Sequence, residues 1–144
     1  MHYNQLLINT DGGSRGNPGP AAIGVTANTS SGEVVFELSE YIGVQTNNVA
    51  EYMAVIRALT YLNDQKISTE KLTFILDSQL IVRQIQGIYR VKESHLQSLV
   101  SDVKKLLGIV KENNPTVSVS FQTVLRDQNK RADQLVNQAL DANT

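Results

Sequence analysis

Four carboxylates stand at the ends of otherwise unrelated segments, and together they are a donor set for phosphoryl-transfer chemistry. Asp11 closes an apolar run (Leu6, Leu7, Ile8) and opens a glycine-rich turn. Glu51 falls in the first turn of a predicted helix, after Thr46-Asn47-Asn48. Asp77 ends a second apolar run, Leu72 to Leu76, and Asp133 follows Arg131-Ala132 at the start of the last predicted helix. Magnesium prefers hard oxygen ligands and keeps several of its waters, so a few converging carboxylates suit metal-assisted attack on a phosphate.

Composition removes most other chemistries. The chain has no cysteine, which excludes disulfides and thiolate zinc sites. Only His2 and His95 supply imidazole, too few for a histidine metal cluster and a poor start for a Ser-His-Asp triad. A length of 144 residues fits one domain, residues 1–144, with a core of useful size. The N-terminal residues Met1 to Gln5 show neither a basic segment nor a long apolar stretch, so no signal peptide is expected. No run approaches the roughly 20 apolar residues that span a bilayer. A cytoplasmic monomer without membrane contact is the expectation. Net charge is −1, but between Arg83 and Lys111 six cations face two anions, a local excess of +4. That excess suits a polyanion held near metal, or else simply a solvated helix face.

The elements that must position the acids follow an α/β order. Tyr3 to Thr10 is predicted as a strand, and Asp11 to Pro20 as a loop by its glycine and proline content. Strands at Ala22 to Asn28 and Val34 to Ile42 flank a turn at Ser30-Ser31-Gly32. Val55, Leu59 and Leu62 recur at helical spacing within Asn48 to Leu62. Leu72 to Leu76 is a short buried strand, followed by a helix from Ser78 to Gln86 that Gly87 ends. Ser94 to Val110 is a helix with Leu96, Leu99, Val103, Leu106 and Leu107 as its stripe; Val117 to Leu125 alternates as a strand, and Asn129 to Ala142 is a helix. Antiparallel strands followed by alternating strands and helices predict one mixed sheet covered by helices.

Each acid also has a structural role open to it. Asp11 before Gly12-Gly13 fits an Asx-turn; Asn48 and Glu51 are spaced as a capping box. Asp77 fits the N-cap of the helix after it, and Asp133 complements a helix dipole. Taken together, Asp11 and Asp77 both end predicted adjacent strands, where open sheets place their sites. Four coincidental structural roles explain the pattern less well than one site.

The strings themselves resemble a known family. Asp11-Gly12-Gly13-Ser14 with Gly16-Asn17-Pro18-Gly19-Pro20, Thr46-Asn47-Asn48-Val49-Ala50-Glu51, Asp77-Ser78-Gln79 and Asn129-Lys130-Arg131-Ala132-Asp133 are similar, in order and spacing, to type 1 ribonucleases H. The resemblance covers nearly the whole chain. It implies a ribonuclease H-like, α+β mixed fold: a five-stranded sheet in the order 3-2-1-4-5, flanked by helices. It implies an endoribonuclease that cuts the RNA strand of RNA–DNA hybrids and leaves 5′-phosphate and 3′-hydroxyl ends. Asp11, Glu51, Asp77 and Asp133 would hold two Mg²⁺ ions, with Mn²⁺ a possible substitute, roughly 4 Å apart around the scissile phosphate. Asp11 would bridge both ions, and Asp133 would hold the ion that activates water.

Discrimination must come from the 2′-hydroxyl. By resemblance, Asn17 and Asn47 read the RNA strand across the minor groove, with Glu51 accepting a 2′-hydroxyl bond. Gly12, Gly13 and Gly16 would let the backbone approach the ribose, and Thr46 would grip a phosphate of the DNA strand. Ser14 belongs to the same loop; Asn48 is read as a helix cap more than a substrate contact.

The departures from the family pattern are specific. Many members carry a histidine on a loop before the last acid; here Arg126 is the nearest candidate, and it cannot shuttle protons near neutral pH. Pairing with Asp127 is its structural alternative. The tryptophan-containing basic handle of some relatives is missing, with Ile88-Tyr89-Arg90-Val91-Lys92 in its place. Weaker hybrid binding with strong salt dependence is expected. The reading from another class is a catalytically silent nucleic-acid-binding module, which would gain nothing from clustered negative charge. An exonuclease or junction-cleaving enzyme would leave Thr46-Asn47-Asn48 unexplained.

Overall fold

Leu6 and Ile8 are fully buried while Leu7 and Asn9 are half-buried, the alternation of a strand with one face on the main core. A computed structural model describes residues 1–144 and makes this strand β1 (His2–Ser14). Then come β2 (Gly19–Thr29), β3 (Val34–Gln45), helix α1 (Asn47–Asp64), β4 (Ser68–Leu76) and the short helix α2 (Gln79–Ile85). Helix α3 (Ser94–Asn113), β5 (Ser118–Thr123), a 3-10 turn at Arg126–Gln128 and helix α4 (Lys130–Asn143) follow. The sheet order is β3-β2-β1-β4-β5, the order that the family resemblance implies. Strands β1 to β3 form an antiparallel meander, and β4 and β5 run parallel to β1.

The two faces of the sheet are covered by different helices. On one, Ile8, Ile23 and Val25 join Tyr52, Val55 and Leu59 of α1 and Leu96, Val100 and Val103 of α3 in the main core. On the other, Ala22 packs against Val136, Ala139 and Leu140 of α4. Polar staples seat α4 on β3: Arg131 holds Glu37 through two bonds of 2.9 and 2.7 Å, and Ser39 Oγ donates to the Leu135 carbonyl at 2.6 Å. The Arg131 guanidinium draws the Glu37 carboxyl below its usual range.

Several expected boundaries move, for physical reasons. Strand β1 does not stop at Thr10: Asp11 to Ser14 remain in the ladder, opposite Gly24 to Ala21. Its glycines look like loop residues in sequence, yet both are in the ladder, and Gly12 is needed because the first turn of α1 presses on the strand there. Helix α1 is capped by Thr46, whose Oγ1 accepts the Val49 N–H at 3.3 Å; Asn48 lies inside the helix and caps nothing, so the expected capping box with Glu51 does not form. Ser78 caps α2 through Ile81 N at 3.3 Å, which leaves Asp77 free of that duty. Strand β4 begins at Ser68, because polar residues there pair with the exposed start of β1. Gly87, at φ +80°, ends α2 as expected, and no helix intervenes between α2 and α3. No helix is long and apolar enough to cross a membrane.

Candidate active site

The register of the sheet brings the first two acids level. In the parallel ladder Leu7 pairs with Thr73, Ile8 with Phe74 and Asn9 with Ile75; two residues further along both strands stand Asp11 and Asp77. Glu51 arrives because Gly12 has no side chain. A Cβ on Gly12 would overlap the Ala50 carbonyl group and the Glu51 nitrogen, so the first turn of α1 rests directly on β1. Gly24, opposite Asp11, does the same for α4: a Cβ there would overlap the Ala132 carbonyl oxygen and crowd Leu135. Asp133 follows Ala132 into the same region.

The result is an open cleft of about 580 Å³ lined by all four acids and Arg126. Asp11, Glu51 and Asp77 each bring a carboxylate oxygen within 4.8 Å of the other two. Asp133 stands outside that trio, on the cleft wall, and its charge still acts on Asp11. Burial pushes the Asp11 carboxyl up to about 7, with the charge of Asp77 as the next cause. Burial, followed by the charges of Asp11 and Asp77, also raises Glu51 well above the usual carboxylate range. Gly12 N–H donates to Asp11 Oδ1 at 3.0 Å and opposes the rise.

These residues fit a hard divalent cation. The donors are oxygens only, and Asp77 Oδ2 is buried with no hydrogen-bond partner. A buried carboxylate oxygen without a donor is costly unless a cation meets it. A second cavity, of about 330 Å³, opens between α1, α3 and the start of β4, and no carboxylate lines it.

The loop residues divide. Gly12, Gly13, Ser14, Asn47 and Asn48 line the cleft, whereas Asn17 and Thr46 are not part of its lining. Asn17 Oδ1 accepts the Asn47 N–H at 3.1 Å, and Asn47 Oδ1 accepts Ser14 N–H at 2.9 Å and Ser14 Oγ–H at 3.1 Å. Neither side-chain NH₂ of Asn17 or Asn47 has a protein partner, so both remain free donors. The missing side chain of Gly12 admits the first turn of α1, and the residue also lines the cleft. Gly13 has only ordinary contact at its Cβ position, 3.6 Å from Val136 Cγ1. Gly16, at φ +100°, is required by its turn. Arg126 is exposed and makes no ion pair; the expected alternative with Asp127 does not form.

Sequence reading missed three contributors. Gly24 shows only as a glycine inside a strand, a sign of close backbone approach. Asn137 donates to the Asp133 carbonyl at 3.1 Å and to its Oδ2 at 3.4 Å, a pair that the four-residue spacing on α4 could have suggested. Arg15 lines the cleft and holds Asp141 of α4 at 2.6 Å.

Known proteins share this fold. A family model described as reverse transcriptase-like matches residues 9–139. The crystal structure of a ribonuclease H1 from the halophilic archaeon Halobacterium salinarum superposes with a TM-score of 0.86 at 35% identity, covering 96% of this chain and 99% of that one. A ribonuclease H1 isolated from compost, solved in complex with an RNA/DNA hybrid, gives a TM-score of 0.83 at 45% identity, covering 95% and 97%. A bifunctional protein of Mycobacterium tuberculosis is 35% identical over 139 residues, which are 96% of this chain and 36% of that protein. The chain thus spans about a third of the length of the curated mycobacterial relatives it matches. Sheet order and acidic cleft define a ribonuclease H-like protein. The chain belongs to the type 1 ribonuclease H family.

Proposed function

We propose that this protein, as one domain over residues 1–144, is an endoribonuclease that cuts the RNA strand of RNA–DNA hybrids. The observation that carries the reading is the trio Asp11, Glu51 and Asp77, gathered within 4.8 Å at one edge of the sheet. The compost ribonuclease H1, at 45% identity, was solved with such a hybrid, which supports the substrate class. Asp11, Glu51 and Asp77 would hold magnesium, two ions with Asp133 completing the set, and manganese would substitute. When bound, such ions supply Lewis acidity to the scissile phosphate and lower the pKa of water.

The chain's own groups do the recognition. Asn17 and Asn47, their carbonyl oxygens already engaged, present NH₂ donors to the ribose 2′-oxygen, the atom that distinguishes RNA from DNA. Thr46 keeps its hydroxyl hydrogen for a phosphate of the DNA strand, since its oxygen only accepts from Val49. Gly13, Ser14 and Asn48 complete the wall toward the substrate. Arg126 offers five N–H donors to phosphate oxygens and stays charged throughout. In-line displacement leaves 5′-phosphate and 3′-hydroxyl ends. The protein acts as a cytoplasmic monomer.

Purified protein with Mg²⁺ and an internally labelled hybrid tests this directly. RNA-strand cutting is expected, and Asp77→Asn loses nearly all of it while keeping the fold. Cutting of the DNA strand, or equal cutting of single-stranded RNA, would overturn the reading; tight hybrid binding without cleavage would restore the silent-module alternative.

A further inference from the structure

Asn129 is 1% exposed and sits immediately before α4. An asparagine there ordinarily caps its helix by accepting a backbone N–H from the first turn, yet this one makes no side-chain cap bond. Its Nδ2 donates instead to the Thr10 carbonyl at 3.0 Å, and its Oδ1 accepts from Asn9 Nδ2 at 3.0 Å. Its main-chain carbonyl accepts the Asp133 N–H at 3.2 Å. One buried residue is thereby bonded to the neighbour of Asp11 on one side and to Asp133 on the other. Asp133 lies outside the 4.8 Å trio, so its separation from Asp11 depends on how the start of α4 is seated.

We propose that Asn129 is a positioning residue that fixes Asp133 at the distance from Asp11 at which both hold a cation. The proposal rests on the metal-dependent reading of the site given above. Asn9 sets the rotation of the Asn129 amide, so that its NH₂ faces β1. Gly24 admits the helix, and Asn129 fixes its register.

The test uses the full chain with Mn²⁺ alone in titration calorimetry, beside hybrid cleavage. Asn129→Leu keeps the volume, removes both side-chain bonds and adds no charge; Asp133→Asn removes the fourth acid, and the double variant closes the cycle. Each single variant is expected to weaken Mn²⁺ binding and lower kcat by roughly ten- to a hundredfold, the range for groups that orient a metal ligand. The double variant should bind no worse than Asp133→Asn alone. An Asn129 that merely stabilises the fold would lower Tm, leave Mn²⁺ affinity at the wild-type value, and multiply with Asp133→Asn; that result overturns the proposal. Should Asn129→Leu not fold, Asn9→Ala leaves Asn129 in place without its orienting partner: a smaller loss of Mn²⁺ affinity supports the proposal, and unchanged affinity overturns it. A wild-type protein that cuts no hybrid but shows the coupled Mn²⁺ pattern would remove the proposed function and leave this role standing.

Discussion

Gly12 and Ala50 meet backbone to backbone, and no β-carbon fits between them. Gly12→Ala therefore has to push α1, and Glu51 with it, away from Asp11. Overpacking of this kind costs about 1–3 kcal/mol, and cleavage should fall further than stability. Gly108→Ala is the control, since nothing lies within 4 Å of its Cβ position on α3; it should stabilise by about 0.5–1 kcal/mol. Urea melts and hybrid cleavage on both variants decide it, and a neutral Gly12→Ala would contradict the contact.

Asp11 makes the stability of the metal-free protein depend on pH. Its carboxyl sits at about 7 in the fold against 3.8 for an ordinary aspartate, so between those values the folded state binds more protons than the unfolded one. Its contribution to stability is then fully present below about 3.8 and is lost as pH rises through about 7. Thermal melts in EDTA should show Tm falling across that window, and added Mg²⁺ should remove the fall. A Tm in EDTA that climbs from about pH 4 to about pH 7 would refute the coupling.

Tyr52 donates to Gln84 at 2.5 Å, with both residues buried. The bond links α1, one residue past Glu51, to α2, which follows Asp77. Tyr52→Phe leaves the Gln84 oxygen buried without a donor and should cost about 1–3 kcal/mol. Tyr52→Phe combined with Gln84→Leu should recover part of the loss. Equal melts for Tyr52→Phe and wild type would rule the bond out as a stabilising contact.

Arg126 is exposed on the cleft and makes no ion pair. If it meets a phosphate, Arg126→Ala weakens hybrid binding for every sequence and reduces the slope of log K against log salt by about 1. Arg126→Lys should keep the slope. An unchanged slope in Arg126→Ala would place the arginine off the substrate path.

Asp77 is legible in sequence because an apolar run that stops at a carboxylate marks a strand's end. Asp11 is legible as an acid, but its strand is not read to its true end. Gly12 and Gly13 carry the local signature of a turn, and only their pairing with β2, with α1 packed on Gly12, explains why they stay extended. Thr46 and Asn48 compete for the same cap by composition; the φ of −80° and ψ of 163° at Thr46 settle the matter in the fold. The gathering of four acids follows from their place at strand ends and helix starts. Their unequal spacing, three together and Asp133 apart, depends on Gly24 and Asn129. Those two act through tertiary contact, and contact of that kind leaves little trace in local pattern.

Helix α4 brings Asp133 to the cleft, and its Val136, Ala139 and Leu140 form with Ala22 of β2 a cluster of 4 buried residues, separate from the 21-residue core that holds α1 and α3. An element seated through a packing unit of its own can open separately, below the global transition. Heating should therefore abolish cutting while circular dichroism still reports an intact sheet: the chemistry is the first casualty of warming, and on cooling it returns without the chain having to refold.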